Sequence, residues 1–156
     1  MPGKLQREIK QNRPIDTLEE EAYLNIQLTA NVLIQGLADV LKAHDLTPTQ
    51  YNVLRILRGA GDRGLTAGDV GERMITRDPD VTRLLDRLEK RALAERWRCT
   101  DDRRVVWTRI TEAGRQAIAP LDAEIEQMHL RQLGHLGADR LTSLIELLET
   151  AREADR

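Results

Sequence analysis

Two arginines four residues apart, Arg83 and Arg87, with Thr82 beside them and Asp80 just upstream, are the residues in this sequence best suited to recognition chemistry. A guanidinium fork donates paired hydrogen bonds to guanine edges and to phosphates. A threonine hydroxyl donates or accepts, and a carboxylate can accept from cytosine N4. A second cationic pair, Arg103-Arg104, follows a short way on, and Thr66 and Arg77 add two weaker candidates for phosphate contact. Covalent chemistry has no comparable kit. There is no Gly-rich phosphate loop, nucleophile elbow or Cys/His signature, so an enzyme is not expected and no cofactor or metal is implied. A charge run is ordinarily a solvated face, so what decides is the set of elements that would position these groups.

The chain has 156 residues, 40% apolar and 32% charged, which suits one domain able to bury its own core. Aromatics are only 3% and Phe is absent, so the core must be Leu, Ile, Val and Ala, which favours packed helices over a large sheet. The formal net charge of −2 hides an asymmetry. Residues 1–76 carry 9 basic and 10 acidic groups, residues 77–109 carry 10 and 7, and residues 110–156 carry 5 and 9. The middle window is locally basic, and a local basic surface is what phosphates meet.

Residues 1–15 read as a loose or partly helical arm ending at Pro14. From Asp16 to about His44, Ala22, Ile26, Ala30, Leu33, Leu37 and Leu41 recur at helical spacing, with Leu24, Leu28, Val32 and Val40 as a second apolar line, which predicts a helix buried on two sides. Thr47-Pro48-Thr49-Gln50 is a capping box with Pro in the first turn, opening a helix that runs to Arg58 before the glycine-rich stretch 59–64. Thr66 caps a short helix from Ala67 to about Met74. The next helix is expected to start at Asp78-Pro79 and to bury Val81, Leu84, Leu85 and Leu88, leaving Asp80, Thr82, Arg83, Arg87, Lys90 and Arg91 outward. Residues 94–99 and 105–110 alternate like two strands around a charged tip, with Trp97 and Trp107 as hairpin core. A long helix from Thr111 through Met128, broken near Gly134 and Gly137, and a final helix with Leu141, Leu144, Ile145 and Leu148 complete the chain.

A capped short helix, a turn, an amphipathic helix with a basic outer face and a basic hairpin form the layout of a winged helix-turn-helix. At these residues the sequence resembles the MarR family of transcription regulators, over roughly Leu18 to Leu133. Leu46-Thr47-Pro48-Thr49-Gln50-Tyr51-Asn52-Val53-Leu54 is similar to the family's second helix, and Val81-Thr82-Arg83-Leu84-Leu85-Asp86-Arg87-Leu88-Glu89 to its recognition helix. Asp102-Arg103-Arg104-Val105, followed by Arg109-Ile110-Thr111-Glu112-Ala113-Gly114, is similar to its wing and the start of the next helix.

The resemblance implies a mainly α fold with a small β-hairpin wing: a winged helix-turn-helix over 45–111 and dimerisation helices in 1–44 and 112–156. It implies a homodimer that binds a pseudo-palindrome in double-stranded DNA and represses transcription near its own gene. Base contacts would fall to Thr82, Arg83, Arg87 and Asp80, with Arg103 and Arg104 at the minor groove and Thr66 and Arg77 at phosphates. It also implies a small aromatic or phenolic effector, for which His44 and Tyr51 lie where a family-type pocket would open. The rival reading is a winged helix used for protein contacts, with no operator.

Three departures from the family pattern stand out. Asp78-Pro79-Asp80 occupies positions usually held by small hydroxyl or amide residues. Cys99-Thr100 stands where the wing motif commonly begins with Asp, which leaves Asp101 or Asp102 to brace the wing arginine. Ala92 replaces the usual Gly, so a less tightly bent turn is expected there.

The lone Cys99 could act as a thiol sensor but lies on a predicted wing strand. His129 and His135 are off a common helical face and read as surface or interface residues. One cysteine, no N-terminal apolar signal segment and no long apolar span together predict a cytoplasmic protein without a membrane segment.

Overall fold

The computed structural model describes residues 3–154. Met1 and Pro2 of the expected arm, and Asp155 and Arg156 at the other end, lie outside the described residues. The chain forms two compact units that meet in sequence between Gly36 and Leu37. In the first, a short helix α1 (Lys4–Glu8) precedes a long helix α2 (Leu18–Lys42), which continues into the second unit. Leu5 of α1 is buried and, with Leu28 and Val32, lines a shallow groove. The two-sided burial expected of α2 is not met within one chain: Leu18, Tyr23, Ile26, Val32 and Ile34 are all exposed, and Leu41 alone is fully buried.

The second unit is built on local signals. Helix α3 (Pro48–Ala60) starts at the predicted capping box, with Thr47 Oγ1 accepting from the Gln50 N–H and Gln50 Oε1 from the Thr47 N–H. It outruns the expected end at Arg58 and closes in a 3₁₀ turn over Gly61–Arg63. Helix α4 (Ala67–Arg73) has a second capping box, between Thr66 and Asp69. Helix α5 (Val81–Lys90) follows, and strands β1 (Ala94–Arg98) and β2 (Val106–Ile110) pair antiparallel with Trp97 opposite Trp107. Leu65 adds a one-residue bridge to β2 through Thr108. Leu54, Leu57, Val70, Leu84, Leu85, Leu88 and Ile110 form one core under α3, α4, α5 and the hairpin.

Four local expectations are corrected. Helix α5 starts at Val81 with Asp80 as its cap, not at Asp78-Pro79: the Asp80 carboxylate accepts from the Arg83 N–H at 3.1 Å, while Asp78 accepts from the Asp80 N–H and shapes the preceding turn. An aspartate that is followed by two residues and then a free N–H is the better cap, so the helix frame moves downstream. The long helix from Thr111 is two, α6 (Glu112–Ile118) and α7 (Leu121–Leu133), interrupted at Ala119-Pro120 because a proline inside a helix has no N–H to donate.

Trp97 is not core but 37% exposed, lying under the Arg109 guanidinium at 5.2 Å and against Gly64, where a Cβ would come within 2.7 Å of the ring. The turn after α5 is as tight as with glycine. Ala92 itself takes φ +57°, and its N–H bonds to the Glu89 carbonyl at 2.8 Å. That brings Leu93 so close to Gly114 that a Cβ there would lie 2.1 Å from the Leu93 carbonyl oxygen, so Gly114 is fixed by close approach. The last helix, α8 (Ala138–Glu153), forms as expected after Gly137 but buries none of its residues.

Candidate nucleic-acid interface

On α5, Leu84, Leu85 and Leu88 point into the core, and Thr82, Arg83, Asp86, Arg87 and Lys90 share the opposite face. Thr82, Arg83, Arg87 and Lys90 are exposed. The side chains of Arg83, Arg87 and Lys90 make no hydrogen bond or ion pair with any described residue, and the same holds for Arg77 in the turn before α5. Asp80 sits at the edge of this face with one carboxylate oxygen engaged in the cap.

The hairpin is braced so that one arginine is left over. Arg98 donates from Nη1 to the Arg103 carbonyl at 2.8 Å, and Val105 N–H bonds to the Asp102 carbonyl. Asp102, not Asp101, supplies the bracing carboxylate. It takes the Arg104 N–H at 3.0 Å and Arg104 Nε at 3.2 Å, and those hydrogen bonds hold its carboxyl below the usual carboxylate range. Arg104 remains almost wholly exposed despite the contact. The Arg103 side chain is exposed and has no partner among the described residues. Arg109 is committed to Glu95 and to the Trp97 face.

The remaining basic residues of this region are structural. Arg91 donates to the Asp45 carbonyl at 2.7 Å and pairs with its carboxylate at 3.3 Å. Arg96 on β1 reaches back to α5, touching Asp86 at 2.5 Å and Glu89 at 2.6 Å, and the hydrogen bond to Glu89 holds its guanidinium still more firmly protonated than usual. Sequence reasoning missed this triad. Seven and ten residues separate the partners, and no local pattern says that β1 will turn back along α5.

Between α4, α5 and the hairpin lies an open groove of about 430 Å³, lined by Thr66, Gly68, Thr82, Arg96, Arg104 and Val106 among others. The structure thus brings together Thr66, Thr82 and Arg104 of the predicted set. Thr66 is occupied: its hydroxyl accepts from the Asp69 N–H at 3.2 Å and donates to Asp69 Oδ2 at 2.7 Å, which holds Asp69 below the usual carboxylate range.

The two effector candidates stand apart from this groove. His44 faces Glu124 of α7 at 3.3 Å, and Tyr51 is buried in the core with Arg55 over its ring at 5.8 Å, its phenol pushed up chiefly by burial. Cys99 is half-buried, and hydrogen bonds from the Asp102 and Asp101 backbone hold its thiol below its usual range. His129 and His135 are exposed, and no group of three or more potential metal ligands occurs among the described residues.

An amphipathic helix set against a shorter helix across a turn, with cations bare on its outer face and a braced two-stranded hairpin beside it, defines a winged helix-turn-helix module. The family model described as the MarR family matches residues 44–105, from the turn before α3 into the wing. The transcriptional regulator SarZ of Staphylococcus aureus is 34% identical over 112 residues, covering 68% of this chain and 74% of that protein. The homoprotocatechuate degradative operon repressor of Escherichia coli is 26% identical over 110 residues, covering 70% and 73%. A MarR transcription factor from Planctomyces limnophilus, of known structure, superposes with a TM-score of 0.68 at 38% identity, covering 87% of this chain and 98% of that one. The chain belongs to the MarR family of transcription regulators. No helix among the described residues is long and apolar enough to cross a membrane.

Proposed function

We propose that this regulator binds a pseudo-palindromic operator in double-stranded DNA as a homodimer and represses transcription from it in the cytoplasm. The observation that carries the reading is the division among the arginines: those around the wing and behind α5 are paired, whereas Arg77, Arg83, Arg87 and Arg103 are exposed and without a partner among the described residues. An unpaired guanidinium loses no existing ion pair when it meets a phosphate or a guanine edge. Thr82, Arg83 and Arg87 then read bases in the major groove, with Asp80 able to accept from a cytosine amino group at the margin of that contact. Arg103 enters the minor groove, with Arg104 beside it, and Arg77 meets a phosphate. Thr66 contributes by capping α4, since its hydroxyl is already engaged.

Residues 45–111 act as the DNA-binding module, and residues 1–44 and 112–156 supply the dimer interface. Exposed Leu144 and Ile145 on α8 and, separately, Tyr23 and Ile26 on α2 support this, because neighbouring exposed apolar side chains mark interaction surfaces. In such a dimer two α5 helices lie roughly 34 Å apart, one turn of DNA. A small aromatic or phenolic effector releasing the operator, near His44 and Tyr51, is the extension that the family membership suggests. That the Escherichia coli relative is a homoprotocatechuate degradative operon repressor is in keeping with it.

The test is a titration against the DNA upstream of the protein's own gene with scrambled competitor at two salt concentrations. Tight, competitor-resistant binding is expected. Binding that ignores sequence and vanishes with salt overturns the reading.

A further inference from the structure

Helix α5 presents three cations and two carboxylates within ten residues, and Asp86 lies in the middle of its outward face, three residues after Arg83 and four before Lys90. Left alone, that carboxylate is within side-chain reach of both cations, since residues three and four apart on a helix are neighbours. It would also stand before any phosphate that α5 approached. In the structure it pairs with neither cation and, though partly exposed, is engaged by Arg96 instead. Arg96, three-quarters buried, takes Asp86 at 2.5 Å, and it takes Glu89 at 2.6 Å and, from Nε, at 3.0 Å. Arg83, Arg87 and Lys90 stay without partners among the described residues.

We infer that Arg96 is a positioning and charge-masking residue for DNA recognition: it pairs the two carboxylates of α5 so that Arg83 and Lys90 remain available and the negative charge of Asp86 and Glu89 is offset where α5 meets the backbone. This rests on the operator-binding reading above. Masking differs from mechanical tethering of the wing to α5. If Arg96 only tethers, then deleting its two acidic partners must harm binding as much as deleting Arg96 does. If it masks, deleting the acids removes what needed masking, and binding survives or tightens.

The experiment uses the full chain and a duplex selected by the wild-type protein from a random library, with Arg83→Ala as the control for the recognition face. Arg96→Met is expected to weaken binding by at least about tenfold, since uncompensated like charge at an interface is costly. Its log–log salt slope should be shallower by about one, because a cation captured by Asp86 no longer displaces counterions. The double variant Asp86→Asn/Glu89→Gln is expected to bind at least as tightly as wild type. Adding Arg96→Met to that pair is expected to restore affinity to within about threefold of wild type, a difference of under 1 kcal/mol.

Weakened binding by the double variant, or unchanged binding by Arg96→Met, overturns the inference while wild type and Arg83→Ala still differ. If wild type selects no duplex, the operator reading itself fails. Should Arg96→Met show no cooperative melt, the double variant, which keeps Arg96, decides alone.

Discussion

Helices α5 and α8 carry similar apolar stripes and meet opposite fates. On α5 three leucines are buried, and Arg83, Arg87 and Lys90 on the polar face have no side-chain partner among the described residues; on α8 no residue is buried, and Ile145 is 54% exposed. The difference is not in periodicity, which both show. It lies in whether one chain supplies the other side of the contact: α3, α4 and the hairpin close over α5, whereas among the described residues the apolar face of α8 is only partly covered, with none of its residues fully buried. An amphipathic pattern specifies that a face will be covered, not by which molecule.

The sharpest break in this comparison comes from truncating each stripe. Leu88→Ala, at a fully buried site, is expected to cost about 2–5 kcal/mol in urea melts, independent of protein concentration. Ile145→Glu on α8 is expected to leave the melt of the winged module intact but to weaken a dimer by about 3 kcal/mol, seen as a shift to monomer mass in sedimentation equilibrium. An unchanged mass would place the partner surface elsewhere.

On the polar face of α5, Arg83→Ala is expected to cost on the order of 1–3 kcal/mol on a specific site while sparing the fold, read by the operator titration. Smaller still is the turn that follows α5. Ala92→Gly relieves a left-handed alanine and is expected to raise stability by about 1 kcal/mol without moving DNA affinity.

The smallest effect is electrostatic. Arg58 donates two hydrogen bonds of 2.9 Å to Asp122 and holds its carboxyl below the usual range. A depressed folded-state value means that the stabilisation is present above the unfolded carboxylate pKa and is lost as pH falls through the folded one. Both groups are partly exposed, so solvent screens most of it. Asp122→Asn should therefore slightly flatten the fall in urea midpoint below about pH 5, and an equal fall in both proteins would remove this pair from the acid response.

Much of the fold was legible because its signals are local. The Thr47-Gln50 capping box, the Thr66 cap and the Leu84, Leu85, Leu88 spacing each involve residues within one or two helical turns, and each stands where expected. The misjudged points are those where two local signals competed or where packing overrode one. Asp78 and Asp80 both offered caps, and the position of the first free N–H chose between them. Ala92 lacks glycine's freedom yet takes positive φ, in a turn that sets Leu93 close against Gly114. Trp97, though aromatic, is held outward by Arg109 and the backbone at Gly64.

The site divides the same way. From residue order alone followed the helix that carries Thr82, Arg83 and Arg87, the hairpin tip with Arg103 and Arg104, and the family to which they point. Which arginines are free could be settled only by the tertiary structure. Arg87 and Arg96 are the same side chain in similar company, and each lies within nine residues of Glu89. One ends bare on a helix face and the other locked between two carboxylates because the chain reverses at Ala92 and lays β1 along α5. An ion pair depends on which charges converge in space, and that convergence is set by the packing of leucines underneath, not by the order of the charges themselves.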